Sequence, residues 1–258
     1  MGHYEVVTNR DLESQSAFNR HFEWGPTSAT LASKGITIIV DVLRFTSAVE
    51  AATSRGAVVF PYRWAEDGAQ EHANSNDATL ANGSHAGGPS LSPLSLLALE
   101  SQDRVVLASP NGATCALLAA HAGSTVIASC LRNAEAVGRA LGDREGPITV
   151  IACGERWPDG TLRPALEDLL GAGAVLSKLG GRPSPDARSA IAAWRDAKHR
   201  VHETLQSCWS GLELQRKGAS DDIIYCSQVN VSGVVPVLFN GAFHSASPEE
   251  LLRVTINQ

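Results

Sequence analysis

No apolar run in this sequence approaches the roughly 20 residues that a membrane-spanning helix needs. The first residues, with Glu5, Arg10 and Asp11, lack the apolar core of a signal segment. Positive charge is scarce. The 21 Lys and Arg stand against 27 Asp and Glu, a formal net charge of −6. A nucleic-acid groove or an anionic membrane partner calls for a basic stripe, so neither is expected. A small anionic ligand remains possible, because a few local N–H groups or one metal ion can hold it. The five cysteines (115, 130, 153, 208 and 226) include no Cys-x-x-Cys pair, which argues against a zinc ribbon or a redox motif. Most sit in apolar surroundings, as buried free thiols do, and a reducing, cytoplasmic setting is expected. There is no Gly-Lys-Ser/Thr Walker loop and no Gly-x-Gly-x-x-Gly fingerprint. Cys153 does not open a Cys-x5-Arg phosphate loop, because Arg156 follows only three residues later.

What is present is an α/β pattern. Hydrophobic residues make up 43% of the 258, enough for a sizeable core, and residues 1–258 are read as one domain. β-Branched runs at 36–42, 57–62, 104–108, 125–129, 148–153 and 234–239 read as strands. Ala/Leu-rich stretches at 46–54, 112–121, 133–141 and 165–179 read as helices. This alternation predicts a three-layer α/β/α fold around a mainly parallel or mixed sheet. Ser184-Pro185 reads as an N-cap followed by proline at the first helical position. Ala187, Ile191, Trp194, Ala197, Val201 and Leu205 then mark the core face of the helix beyond. The Gly/Ser-rich stretch 82–92 is a mobile lid or a plain connector.

The polar residues that end strands carry the chemistry. In open α/β sheets, ligands bind at that edge. Ser109-Pro-Asn111-Gly112-Ala-Thr114 ends a strand, turns and starts a helix. The free N–H groups of a helix start attract an anion, and the Ser and Thr hydroxyls add donors. An ordinary capped turn is the plain alternative. Asp41 ends the run Thr-Ile-Ile-Val. It could hold magnesium, act as a nucleophile, or pair with Arg44, which could equally grip a phosphate. The segments 41–52 and 109–120 form a weak internal repeat, a possible duplication of a βα unit. Gly154-Glu-Arg156 ends a third strand. Glu167 and Asp168 follow in the next helix, where about 100° separates neighbours, so one should face the site and the other form a salt bridge. His199 and His202 suit a solvated helix face better than a metal site.

Taken together, these segments resemble the 2-phosphosulfolactate phosphatase family. The matching stretches are Val40-Asp-Val-Leu-Arg44, Ser109-Pro-Asn-Gly112, Ala128-Ser-Cys-Leu-Arg-Asn-Ala134, Gly154-Glu-Arg156, Leu166-Glu-Asp-Leu169 with Gly171-Ala-Gly173, and Tyr225-Cys226 leading to Val235-Pro236. The resemblance implies magnesium-dependent hydrolysis of a small phosphomonoester. By position it implies Asp41, Arg44, Arg156 and Glu167 as catalytic residues. It places Ser109, Asn111, Gly112 and Thr114 on the substrate, and Asp41, Glu167 and Asp168 on Mg2+. A homo-oligomer is allowed. A non-catalytic binder of a phosphorylated or sulfonated metabolite, or an aspartyl-phosphate enzyme using Asp41, is the alternative. The latter chemistry wants a second Asp two residues on, and Leu43 stands there. Three departures appear. The family's Gly-Glu-Arg-x-Gly reads Asn82-Gly-Ser84-His85-Ala-Gly87, its Ser before Leu-Glu-Asp is Ala165, and a late acidic position is Asn230. The first removes an arginine, so 2-phosphosulfolactate is expected to be a poor substrate unless Arg132 or Arg163 supplies the charge.

Overall fold

A computed structural model describes residues 17–31, 35–63, 68–83, 88–142, 144–247 and 249–251. In chain order the strands are β1 (Arg20–Trp24), β2 (Ile36–Val40), β3 (Val58–Arg63), β4 (Thr79–Leu80), β5 (Arg104–Ser109), β6 (Thr125–Ser129), β7 (Ile148–Ala152), β8 (Glu155–Arg156), β9 (Leu162–Arg163), β10 (Pro236–Phe239) and β11 (Ala242–Ser245). The helices are α1 (Gly25–Leu31), α2 (Phe45–Ser54), α3 (Ala69–Ser75), α4 (Pro93–Leu96), α5 (Gly112–His121), α6 (Ala134–Leu141), α7 (Leu166–Leu176), α8 (Pro185–Ala197), α9 (Val201–Ser207), α10 (Trp209–Arg216) and α11 (Ser220–Cys226).

Among the described residues, nine strands form one mixed sheet in the order β1-β7-β2-β6-β10-β11-β3-β5-β4. Strands β1, β7, β2 and β6 are mutually parallel, with Ile36 level with both Ile148 and Thr125. Strands β3, β5 and β4 form a second parallel block. The β10–β11 hairpin joins the blocks by antiparallel pairing to β6 on one side and β3 on the other, so the two blocks run in opposite directions. Every residue of β2 and β6 is buried, and both strands touch α5 and α7. That is why these strands read as unbroken apolar runs rather than alternating ones. The α/β class and the mixed sheet agree with the sequence reading, and α5 and β6 keep their expected limits.

The Ser184 hydroxyl accepts from the Ala187 amide, and Pro185 opens α8 as expected. One reading needs correction. The amphipathic stretch 187–205 is two helices, broken at 198–200, although all six of its core residues are buried. Periodicity registers which face is buried and misses a kink that keeps that face in phase. Consequently His199 lies in the break and only His202 is helical, its Nδ1 2.9 Å from the Ser227 hydroxyl. The Gly/Ser-rich stretch lies partly outside the described residues, as do the acidic and basic N-terminal positions. Helices α7 and α8 pack so closely that a Cβ on Gly173 would lie 2.1 Å from the Ala190 carbonyl oxygen. No described helix is long and apolar enough to cross a membrane, and all five cysteines are free and buried.

Candidate active site

The turn after β2 and the turn after β5 meet. Asp41 follows the last residue of β2 and is buried. One of its carboxylate oxygens accepts from the Phe45 amide at 3.0 Å, at the start of α2. The other accepts from the Gly112 amide at 2.9 Å, at the start of α5. Thus two helix N-termini converge on one carboxylate, which their partial positive charge favours. The expected alternatives for Asp41 included pairing with Arg44. Instead, Arg44 forms an ion pair with the buried Asp222 of α11, whose other oxygen accepts from the Ser92 hydroxyl.

The Ser109–Thr114 turn therefore already holds a carboxyl group belonging to the protein. The Ser109 hydroxyl accepts from the amides of Asn111 and Gly112 at 3.3 and 3.2 Å, which is capping geometry. The Asn111 side chain donates to Glu155 at 2.9 Å. Thr114 is buried in the first turn of α5. Among the described residues, the Ala113 and Thr114 amides have no hydrogen-bond partner, so they are the donors left at this helix start. Gly112 is the only residue type that fits its position. A Cβ there would lie 2.3 Å from Phe45 Cδ1 and 2.7 Å from the Asp41 carboxylate.

The third strand end supplies Gly154, Glu155 and Arg156. Asp168, in the first turn of α7, accepts from the amides of Val42 at 2.8 Å and Gly154 at 2.9 Å. It thereby ties the residues beyond β2 to those beyond β7. Glu167 lies against the Cys208 thiol, which burial and this carboxylate push up to about 12. The two neighbouring carboxylates point different ways, as helix geometry requires, yet both are buried and no described ion pair involves either. The expected salt bridge is absent among the described residues: Asp168 is spent on two amides, and Glu167 is buried beside Cys208. Arg156 is exposed and, among the described residues, its side chain reaches only the Pro110 carbonyl, at 3.5 Å.

Four carboxylates thus crowd together. Burial, then Glu155, and to a smaller degree Glu167, raise Asp41 from 3.8 to about 7 against the pull of the Phe45 and Gly112 amides. Burial, Asp41 and Glu167 hold Asp168 well above the ordinary carboxylate range. Glu155 is raised mainly by burial, with Arg163 and Asn111 pulling the other way. Asp41 and Asp168 nevertheless receive N–H bonds on both oxygens, the arrangement of an ionised carboxylate. Geometry and environment therefore oppose each other, and an added cation is what would reconcile them. The donors are hard oxygens, suited to a hard divalent ion. Among the described residues no group of three or more His, Cys, Asp or Glu side chains is arranged to hold one. Phosphate oxygens and water would have to complete the shell.

A model of the 2-phosphosulpholactate phosphatase family matches residues 26–241, which include every side chain described above. The chain belongs to this family. A 2-phosphosulfolactate phosphatase of Methanothermobacter thermautotrophicus is 29% identical over 213 residues, 80% of this chain and 88% of the relative. Probable 2-phosphosulfolactate phosphatases of Symbiobacterium thermophilum and Thermus thermophilus are 28% and 30% identical, covering 84% and 81% of this chain and 96% and 90% of theirs. Proteins so named are phosphoric monoester hydrolases, the enzyme class expected from the sequence.

Within the 2-phosphosulpholactate phosphatase family pattern, one departure acquires a structural setting. Asn230 adopts a φ of 53° and its side-chain oxygen accepts from the Glu135 amide in the first turn of α6. A neutral amide there does local capping work. Ser84–Gly87 lie outside the described residues. Of the two arginines considered as replacements, Arg132 is committed elsewhere. It pairs with Glu50, bonds Gln228 and lies 3.6 Å over the Tyr225 ring. Arg163 stands opposite Glu155 in the β8–β9 hairpin. The residues missed in the sequence were Glu155 and Asp222. The segment Gly154-Glu-Arg156 was visible, but only Asn111, 44 residues away, makes Glu155 part of the site.

These charges set an expected pH dependence. Asp41 keeps a proton in the folded protein up to about pH 7 that the unfolded chain releases above about pH 4. The folded state binds more protons across that window, so stability contributed by Asp41 is full below it and is lost as pH rises through it. Chemical denaturation in chelator should show wild type losing stability between those pH values more steeply than Asp41→Asn. Equal slopes would mean that Asp41 is not raised.

Proposed function

We propose that this protein is a magnesium-dependent phosphatase of a small anionic phosphomonoester, working in a reducing, cytoplasmic setting. The observation that carries the reading is the meeting of the helix start at Gly112 with four crowded carboxylates, two beyond strand ends and two in the first turn of α7. The amides of Ala113 and Thr114 and the Asn111 side chain would bind phosphoryl oxygens. Arg156, free of any carboxylate partner among the described residues, would neutralise charge developing on the transferred phosphoryl group. Glu155 and Glu167 are the carboxylates whose oxygens are not both spent on backbone amides, so these two would reach the metal, with phosphate oxygens and water filling its remaining positions. Bound there, magnesium would supply Lewis-acid stabilisation and a more acidic water. Asp168 would act by fixing the strand ends that carry Asp41 and Glu155. Covalent catalysis by Asp41 has less support, because both its oxygens are held by amides and burial favours its protonated form.

A panel of phosphomonoesters assayed with and without magnesium tests this reading. Phosphate release should require the ion and fall to background in excess chelator. Full activity in chelator would eliminate the metal, and no turnover of any ester would favour a non-catalytic binder. In the same panel, 2-phosphosulfolactate should not have the highest kcat/KM, because the arginine expected near residues 82–87 is missing.

A further inference from the structure

Two tryptophans stand in solvent at the edge of the carboxylate cluster. Trp157 is 42% exposed and Trp209 60% exposed, and their rings meet edge to face with centroids 6.0 Å apart. Each is tied to a different carboxylate of the site. Trp157 follows Glu155 by two residues in the β8–β9 hairpin, and Glu155 accepts from Asn111 of the phosphoryl-binding turn. Trp209 directly follows Cys208, whose thiol is pushed up by burial and by the Glu167 carboxylate. The buried Arg163 lies beneath both rings, 5.9 Å from one centroid and 5.6 Å from the other, and donates to the Ser210 hydroxyl at 3.2 Å. Leu162 and Leu212 are exposed on the same two elements. Indole rings are large apolar surfaces with strongly preferred contact geometries, and an exposed pair held by a buried arginine offers a ready-made face for another flat group. Because this face adjoins the site, the molecule it meets first is whatever the site has bound.

We propose that Trp157 and Trp209 form a specificity wall for the non-phosphoryl half of the substrate, and that this half is planar and apolar. The proposal rests on the phosphomonoesterase reading above. It gives the chain a preference opposite to that of a site built around a second compact anion. A phosphoryl group at the start of α5 would place its ester substituent toward the hairpin, whose Arg156 reaches back to the Pro110 carbonyl.

Benzyl and ethyl phosphate test the idea, because both leave as alkoxides of similar basicity and differ mainly in the ring. Wild type should show a kcat/KM ratio of about ten in favour of the benzyl ester, the size of one aromatic contact. The ratio should fall to about one in Trp209→Ala and Trp157→Ala, and should be partly kept in Trp209→Phe. Binding is read without turnover. Benzylphosphonate should quench tryptophan fluorescence and bind about tenfold more tightly than methylphosphonate, with the difference lost in Trp209→Ala. Equal affinities for the two phosphonates overturn the wall, while ethyl phosphate turnover would leave the hydrolase reading standing. Tight, Trp209-dependent benzylphosphonate binding without hydrolysis of either ester would keep the wall and reject the hydrolase. If sedimentation shows a dimer that Trp209→Ala dissociates, the face belongs to a second copy of the chain and the proposal fails.

Discussion

Gly112→Ala is expected to destabilise the protein by about 3–5 kcal/mol and to remove its activity. The added Cβ would meet Phe45 Cδ1 at 2.3 Å and Cγ at 2.6 Å, and these atoms belong to a fully buried ring that packs edge-on against Phe243. The ring cannot swing into solvent, so α5 must move away from α2. Overpacking of this kind costs about 1–3 kcal/mol. The same movement stretches the bond from the Gly112 amide to Asp41, and above about pH 7, where Asp41 is ionised, a hydrogen bond to a charged group contributes about 1.5–3 kcal/mol. Gly233→Ala is the control, since nothing lies within 4 Å of its added Cβ. Chemical denaturation and phosphate release would be measured on both variants. A Gly112→Ala protein as stable and active as Gly233→Ala would refute the close meeting of the two turns.

Asp168→Asn is expected to lower stability by about 1–3 kcal/mol, the penalty for one buried N–H left without an acceptor. An Asn side chain can accept from the Val42 amide or from the Gly154 amide. Its own NH2 then faces the other donor. The strand ends that carry Asp41 and Glu155 would lose their common tie, so kcat should fall at least tenfold. The magnesium concentration giving half-maximal activity should stay within about twofold of wild type if Asp168 only fixes these ends. A rise of tenfold or more, with stability unchanged, would make Asp168 a metal ligand, as the family resemblance implies. Denaturation and magnesium titration on one preparation separate the two roles.

Much of the architecture could be read in advance because strand burial leaves a plain compositional trace. The runs Ile36–Val40 and Thr125–Ser129 are covered on both faces and so contain no alternation to misread. Ser184-Pro185 marks a helix start through chemistry local to three residues. Failures came where the deciding contact is distant in sequence. The break at 198–200 leaves the buried stripe in phase, so no change of period marks it. The antiparallel union of two parallel blocks depends on the β10–β11 hairpin, and its pairing to β6 and β3 is non-local.

The site divides along the same line. Local composition is enough to put Asp41 and Ser109 at the ends of buried strands and Asn111 and Arg156 in the turns beyond them. A polar residue after a buried apolar run can only emerge at the edge of the sheet. Local composition also determined that Gly112 and Thr114 open a helix, and that Glu167 and Asp168 fall in the first turn of another. What these groups face depends on the packing of the whole fold. That packing gave the Gly112 amide to Asp41 instead of leaving it for a ligand, paired Arg44 with Asp222, spent Asp168 on two amides and brought Glu155 to Asn111. The reason is physical. A buried polar atom must be paired, and the nearest available partner is chosen by how the helices pack across the sheet, a distance that sequence spacing does not measure.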